Sequence, residues 1–236
     1  MSDKSFTKEN LDRYLKELAR EFRKQNGKSM PAEIILIGGA SVVINYGFRE
    51  MTYDMDVIIN AASSMKDAIN TVGDRFNLSN GWMNDDFMNT ESYTPRIALF
   101  SKYYRTYSNV VTFRTVTGEY LIAMKLRSGR EYKFDRFDVI GILWEQEKMG
   151  DHISLERIKK AVADLYGSYD VLADDVKEFV EKAIQNGGYE KMYERVRQAE
   201  AESKAILLEY QEEKPEVITK DNAHDIIKAL RKRKVN

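Results

Sequence analysis

The sequence predicts an α+β fold in which a small mixed sheet is flanked by helices and followed by an all-helical C-terminal region. Short apolar runs rich in β-branched residues occur only in the first half, and one of them ends at a glycine pair. Nearly every segment after Gly118 has helical periodicity instead. We therefore expect one unit that contains the sheet, residues 1–150, and a second, helical unit, residues 151–236.

The composition is that of a folded protein in water. The chain has 236 residues, of which 32% are charged and 43% apolar, and its net charge is −1. The N-terminus is too charged for a signal peptide, and the longest apolar stretch, residues 34–44, is too short to cross a bilayer. We therefore expect a cytoplasmic protein without a membrane partner. With no cysteine and two histidines, any metal must bind to carboxylates.

The first half alternates helices and strands. Apolar residues recur at helical spacing from Thr7 to a stop signal at Gly27, which predicts an amphipathic helix. The run 34–37 is apolar on both faces, as in a buried strand, and alternation over 53–59 predicts a second strand. The predicted elements are, in order, a helix that follows Thr7 and ends at Asn26, strand 34–37, helix 40–46, strand 53–59, helix 61–78, a loop at 79–95, and strands 97–100 and 109–116.

The second half is predicted to be helical throughout, because its apolar residues recur every three or four positions. The predicted helices are 119–128, 136–148, 154–166, 170–186, 189–212 and 221–233.

Two acidic residues stand out in the second strand. Side chains two apart in a strand point to the same side, so Asp54 and Asp56 are expected to project together. Two carboxylates so close repel each other, and a cation such as Mg²⁺, which prefers oxygen ligands and substrate phosphates, relieves that repulsion. The alternative is that both acids lie on the hydrated face of an edge strand.

A glycine pair precedes these acids. Gly38 and Gly39 end a buried strand and open a helix, an arrangement that leaves backbone N–H groups free to receive an anion such as phosphate. The alternative is that the glycines only let the chain reverse. Because the glycine pair and the acid pair belong to one strand–turn–helix–strand unit, the phosphate-binding turn and the carboxylates are expected at the same edge of the sheet.

These residues carry a resemblance. The stretch GGASVVINYGFREMTYDMDV resembles the signature of the DNA polymerase β-like nucleotidyltransferases, a glycine pair followed by an aspartate pair. With the later stretch EYLIAMKLRSGREYKFDRFDVIGIL, the sequence is most similar to the abortive-infection and type IV toxin nucleotidyltransferases. The resemblance covers about residues 10 to 150. It implies a nucleotidyltransferase core in which Gly38, Gly39 and Ser41 bind the triphosphate and Asp54 and Asp56 bind the metal.

The resemblance also implies roles for other residues. Lys125 is the phosphate counter-charge, Asp138 is the further acidic residue and Asp135 is the second choice for it. The alternatives are an exposed lysine at 125 and a helix N-cap at Asp135. Arg49 would contact the triphosphate or the acceptor, or else the last carbonyls of the preceding helix. Thr52 would steady the metal-binding strand or contact phosphate, or else be an ordinary residue at a strand start.

The sequence departs from the wider superfamily in one respect. Many members carry a third carboxylate on a later strand, and the predicted strand 109–116 contains no acid. Whether one Mg²⁺ ion or two would bind is therefore open. The missing acid also motivates an alternative function, a catalytically degenerate module that binds a nucleotide or a partner. A further alternative uses the same metal site to transfer the γ-phosphate.

The predicted reaction transfers a nucleoside monophosphate from a nucleoside triphosphate (NTP) to a hydroxyl of an RNA (tRNA) or protein acceptor. The similarity to toxins adds an antitoxin protein as a candidate partner. Residues 102–136 are locally basic and contain Tyr103, Tyr104 and Tyr107, a mixture that suits a polyanionic substrate. The alternative is that these cations are balanced by acids elsewhere in the fold.

Overall fold

The computed structural model describes residues 5–129, 135–213 and 226. Within this part of the chain the predicted fold class is confirmed, because a small mixed sheet is flanked by helices and followed by further helices. Of the predicted helix 221–233, only residue 226 is described, and it is helical. The rest of that helix lies outside the described residues.

The strands and helices have the following bounds. The strands are β1 (Phe6–Thr7), β2 (Ala32–Leu36), β3 (Met51–Thr52), β4 (Met55–Asn60), β5 (Met83–Asn84), β6 (Ser101–Tyr107) and β7 (Val111–Val116). The helices are α1 (Lys8–Asn26), α2 (Gly38–Asn45), α3 (Ser64–Phe76), α4 (Gly118–Ser128), α5 (Asp135–Lys148), α6 (Leu155–Tyr166), α7 (Asp174–Asn186) and α8 (Tyr189–Glu213).

The main sheet has five strands in the order β5-β4-β2-β7-β6, and a separate two-stranded sheet pairs β1 with β3. Strand β2 runs antiparallel to β4 and parallel to β7, and β5 extends the sheet beyond β4 in parallel. Asp56 therefore lies in an inner strand, in register with Asn84 of β5. The alternative of an edge strand is therefore wrong for Asp56.

The sheet separates two hydrophobic cores. In β2, Ile34 and Leu36 face a core that includes residues of α1 and α3, whereas Ile35 faces a core that includes residues of α4, α5 and α6. This alternation is the period of two that a strand imposes on its side chains. In β4, Met55 and Val57 are buried in the α1–α3 core, so Asp56 faces the side on which α4 lies.

Helix α1 begins and ends where the sequence predicts. Thr7 and Asn10 form a reciprocal cap, with the Asn10 N–H donating to Thr7 Oγ1 at 3.4 Å and the Thr7 N–H donating to Asn10 Oδ1 at 2.9 Å. The helix ends at Gly27, whose φ of 75° is a conformation that glycine adopts without strain.

One predicted strand is wrong. Residues 97–100 belong to a 3₁₀ helix, Pro95–Phe100, and the strand β6 follows directly after it. Thr94 caps this turn by accepting the N–H of Arg96, and Pro95 occupies a position where its fixed φ and missing N–H fit a helix start. The predicted helix 170–186 is also shorter, because a 3₁₀ turn at Tyr169–Val171 precedes α7.

The C-terminal helices pack against α4 and α5. Ile158 and Val162 of α6, Val180 of α7 and Tyr193 of α8 are buried in the same core as Leu121 of α4. This core extends across residue 150, and a domain boundary there stays a prediction. Within residues 5–129, 135–213 and 226, no helix is both long enough and apolar enough to cross a membrane.

Candidate active site

An open cleft lies between the start of α2, the start of β4 and one face of α4. It contains about 630 Å³ of space, part of it open to solvent. Six of the residues that line it were singled out in the sequence as nucleotide or metal ligands, and Lys125 was singled out as a counter-charge. The lining residues are Gly38, Gly39, Arg49, Thr52, Asp54, Asp56, Phe87, Ser92, Leu121, Met124, Lys125 and Ser128.

The glycine turn opens α2 beside the aspartate strand. The N–H of Ile37 donates to the carbonyl oxygen of Asp56 at 3.0 Å, which fixes the turn against the start of β4. Gly38 has a φ of 53°, and a Cβ atom there would lie 3.3 Å from Asp56 Oδ2. The first N–H groups of a helix have no partner within the helix. The turn therefore presents anion-binding donors close to a carboxylate.

Thr52 connects the aspartate pair to the turn. Its buried hydroxyl is 3.2 Å from the carbonyl oxygen of Asp54 and 3.4 Å from Asp54 Oδ1. Asp54 itself precedes β4 by one residue and is exposed, whereas Asp56 within β4 is partly buried. Both line the cleft. Since magnesium takes oxygen ligands and keeps several for water and phosphate, two carboxylates at an open position fit this ion.

Gly39 is required by the space around it. A Cβ atom at this position would meet Thr52 Oγ1 at 2.5 Å and Arg49 Nη2 at 3.0 Å. We expect Gly39→Ala to lower the free energy of unfolding by about 1–3 kcal/mol, the usual cost of overpacking, because the buried Thr52 must move. Urea unfolding measures this cost. Gly47→Ala is the matched control, because the φ of Gly47 is not positive, an added Cβ would come no closer than 3.7 Å to Glu145 Oε2, and the residue lies outside the cleft lining.

Four charged residues form a network behind the cleft. The guanidinium of Arg49 donates to Asp138 Oδ2, and Lys125 Nζ lies 2.7 Å from that same oxygen and 2.9 Å from Asp135 Oδ1. The side chain of Asp138 is completely buried, whereas 18% of the Arg49 side chain is exposed to solvent. Among the described residues, Asp138 Oδ1 has no hydrogen-bond partner. Arg49 and Lys125 both line the cleft, and Arg49, which is the more exposed of the two, lies next to the turn.

The network keeps Lys125 positively charged. Burial alone would lower the pKa of Lys125, but the carboxylates of Asp135 and Asp138 outweigh it and raise the pKa above its usual value of 10.5. A lysine in this state cannot accept a proton at neutral pH. The predicted alternative, an ordinary exposed lysine, is wrong, because this side chain is buried and bonded to both acids.

The structure places the other predicted residues as follows. Ser41 is buried, and its Oγ accepts the Val116 N–H at 3.0 Å, so its hydroxyl serves the fold and does not line the cleft. Asp135 and Asp138 are also absent from the lining and lie in the first turn of α5. Arg49 Nε donates to the carbonyl oxygen of Met51 in β3, not to a carbonyl of the preceding helix.

The sequence prediction missed five residues of the cleft. Leu121, Met124 and Ser128 occur with Lys125 at positions i, i+3, i+4 and i+7, which is one face of α4. That spacing was a usable signal in the sequence. Phe87 and Ser92 come from the segment predicted as a loop, where no periodicity marks an individual side chain.

The basic segment is largely neutralised within the fold. Asp12 pairs with Arg105 at 2.9 Å and accepts from the Tyr104 hydroxyl, while Arg127 pairs with Glu91 at 3.1 Å. Arg136 pairs with Asp175, also at 2.9 Å. In the described part of residues 102–136, these contacts favour the alternative in which the cations are balanced by acids elsewhere.

Within the described ranges, no group of three or more His, Cys, Asp or Glu residues converges as a metal site. Among the residues that the structure describes, the carboxylates that line the cleft are those of Asp54 and Asp56. This agrees with the lack of an acid in β7, Val111–Val116. A metal held by these two carboxylates would need further oxygen ligands from water or from a substrate phosphate.

A glycine turn, an aspartate pair beside it and an α+β fold are the features of a nucleotidyltransferase core. The chain matches a family described as a nucleotidyltransferase of unknown function, DUF6036, over residues 13–197. This match covers well over half of the 236 residues, and the protein belongs to that family. Comparisons with curated proteins and with solved structures gave no match. The more specific similarity to abortive-infection and type IV toxin enzymes stays a prediction.

Proposed function

We propose that the protein is a magnesium-dependent nucleotidyltransferase that transfers a nucleoside monophosphate from an NTP to a hydroxyl group. One observation carries this proposal: the cleft brings the helix-opening glycine turn and both aspartates together. An anion at such a turn and a cation between two carboxylates are complementary, and Mg²⁺–NTP supplies both charges. The family description supports the same class of reaction.

In the proposed reaction, the acceptor hydroxyl oxygen forms a bond to the α-phosphorus. The bond from that phosphorus to the β-phosphate bridging oxygen breaks, pyrophosphate leaves, and the hydroxyl proton passes to solvent or to a nearby base. Bound Mg²⁺ would supply charge stabilisation for the phosphoryl oxygens and lower the pKa of the acceptor hydroxyl. The protein needs no nucleophile of its own.

The side chains of the cleft would hold the reactants in place. Asp54 and Asp56 would bind the metal, and the N–H groups at Gly38 and Gly39 would bind the triphosphate. Arg49 lies next to the turn and would offset charge on the leaving pyrophosphate. Lys125 and Asp138, which are buried and paired, would act by positioning Arg49. Asp138 is bonded to two cations, so this placement favours positioning over proton removal.

A labelled-transfer assay tests the proposal. With Mg²⁺ and an NTP labelled at the α-phosphorus, we expect label to be incorporated into an acceptor from total RNA or total protein. The same NTP labelled at the γ-phosphorus should give no incorporation, and excess EDTA should abolish the α-label signal. Incorporation of the γ-label would show the alternative phosphotransferase reaction. Tight Mg²⁺-independent NTP binding without any transfer would favour the degenerate binding module.

The finer proposal concerns the acceptor and the biological role. We propose a hydroxyl of RNA, such as tRNA, or of a protein as the acceptor, and a toxin with an antitoxin partner as the setting. The support is the similarity of residues 119–143 to the toxin branch. In residues 102–129 and 135–136, cations that pair with acids elsewhere in the fold add no support for RNA, so separate RNA and protein acceptor pools are needed to decide between them.

A further inference from the structure

The side chains that line the cleft are of two chemical kinds. Those of Arg49, Thr52, Asp54 and Asp56, beside the glycine turn, are charged or polar, whereas Leu121 and Met124 of α4 and Phe87 are apolar. Ser92 and Ser128 also line the cleft. A triphosphate with its metal would use the charged and polar residues, which leaves aromatic and aliphatic side chains for another part of the substrate.

Phe87 is held in place by its own segment. It lies in a 3₁₀ turn, Asp86–Asn89, and its carbonyl oxygen accepts both the N–H of Thr90, at 3.0 Å, and the Thr90 hydroxyl, at 2.8 Å. The ring packs edge-on against Tyr93, with ring centroids 6.0 Å apart and an interplanar angle of 89°. An aromatic ring fixed in this way, yet only partly buried, offers a preformed surface for stacking.

The segment is also tied to the rest of the fold on both sides of Phe87. Asn84 of β5 pairs in register with Asp56 of β4, and Phe87 follows Asn84 by three residues. Farther along, the carbonyl oxygen of Ser92 accepts the Tyr166 hydroxyl at 2.7 Å, and Glu91 pairs with Arg127. Three residues span at most about 10 Å and neighbouring strands lie about 5 Å apart, so the backbone of Phe87 is within about 15 Å of that of Asp56.

We propose that Phe87 binds the nucleobase of the NTP by stacking, with Leu121 and Met124 forming the apolar wall of the base site. This inference rests on the proposed function, since it concerns the same cleft. Base–aromatic stacking tolerates any base, because every base has a π-face. Phe87 therefore contributes affinity for all four nucleotides, and the hydroxyls of Ser92 and Ser128 are the polar groups available to a base edge.

The test compares NTP with inorganic tripolyphosphate, which has no base. By calorimetry with Mg²⁺ and no acceptor, Phe87→Ala is expected to weaken binding of each NTP by about 5- to 150-fold, the effect of losing one stack. Binding of tripolyphosphate should be unchanged. Phe87→Leu, which keeps apolar volume without the ring, should lose affinity as well, and Phe87→Tyr should retain it. Met88→Ala, a neighbouring change outside the cleft lining, is the control.

A Phe87→Trp variant adds a spectroscopic readout. Its fluorescence should be quenched by NTP but not by tripolyphosphate, beyond the change seen from Trp82 and Trp144 in the unaltered protein. If Phe87→Leu binds NTP as tightly as the unaltered protein, while Asp54→Asn weakens NTP binding, the base site is wrong and the proposed function stands. If the unaltered protein binds neither NTP nor tripolyphosphate, the proposed function fails and the base site fails with it.

Discussion

Asp54→Asn is expected to lower the rate of nucleotide transfer by about 10²–10³-fold or more, while the protein stays folded. The expected loss is that of removing one electrostatic contribution to the transition state, here a ligand of the metal. Asp54 is exposed and lines the same cleft as Asp56, so removal of its charge leaves no buried group unpaired and lowers the negative charge of the cleft. The free energy of unfolding should therefore change by less than about 0.5 kcal/mol or increase.

The matched control for this variant is Asp74→Asn. Asp74 is an exposed aspartate of α3, a helix that packs on the opposite face of the sheet from the cleft. Its replacement removes the same charge and should leave both transfer and stability unchanged. Transfer rates and urea unfolding of the two variants, measured side by side, separate loss of the metal site from loss of the fold. Retention of full activity by Asp54→Asn would show that the metal assignment is wrong.

Lys125→Met is expected to lower the free energy of unfolding by about 3–5 kcal/mol, the cost of removing one partner from a buried charge network. The substitution leaves the carboxylates of Asp135 and Asp138 buried without the ammonium that contacts both. That cost is a large part of the stability of a typical domain, about 5–15 kcal/mol. Urea unfolding measures it, and Lys102→Met, at an exposed lysine of β6, is the control with an expected change below about 0.5 kcal/mol.

A double variant identifies the cause of the loss. Lys125→Met combined with Asp135→Asn should recover part of the stability, because one of the two buried carboxylates has lost its charge. A loss below about 1 kcal/mol for Lys125→Met alone would contradict the network.

The stabilisation that the Lys125 charge gives to the fold also depends on pH. Because the pKa of Lys125 is raised in the folded protein, this stabilisation is fully present at pH values below 10.5, the usual pKa of the side chain. It is lost only as the pH rises through the folded-state pKa.

The sequence predicted the parts of the site that depend on local geometry. The strand–turn–helix unit around Gly38 and Gly39 and the period-two placement of Met55 and Val57 follow from rules that act over a few residues. These rules gave the fold class, the N-cap of α1 at Thr7 and the position of Asp56 beside the turn. The bounds of most helices in the described residues differ from the predicted ones by only a few positions.

The features that the sequence did not predict depend on contacts between distant segments. Strand β6, Ser101–Tyr107, is polar and aromatic on its exposed side, so it lacks the alternation that marks a strand, while the apolar run before it is a 3₁₀ turn. The burial of Lys125 depends on α5 folding against α4. Phe87 reaches the cleft because Asn84 pairs with β4, and no local pattern reports that pairing.

The location of the metal and the triphosphate in a crystal tests the central claim most directly. Crystals grown with Mn²⁺ and a non-hydrolysable NTP should show an anomalous-scattering peak between the carboxylates of Asp54 and Asp56. The triphosphate should lie against the N–H groups of Gly38 and Gly39. A manganese peak bound to other residues, or a triphosphate bound away from this turn, would contradict the account.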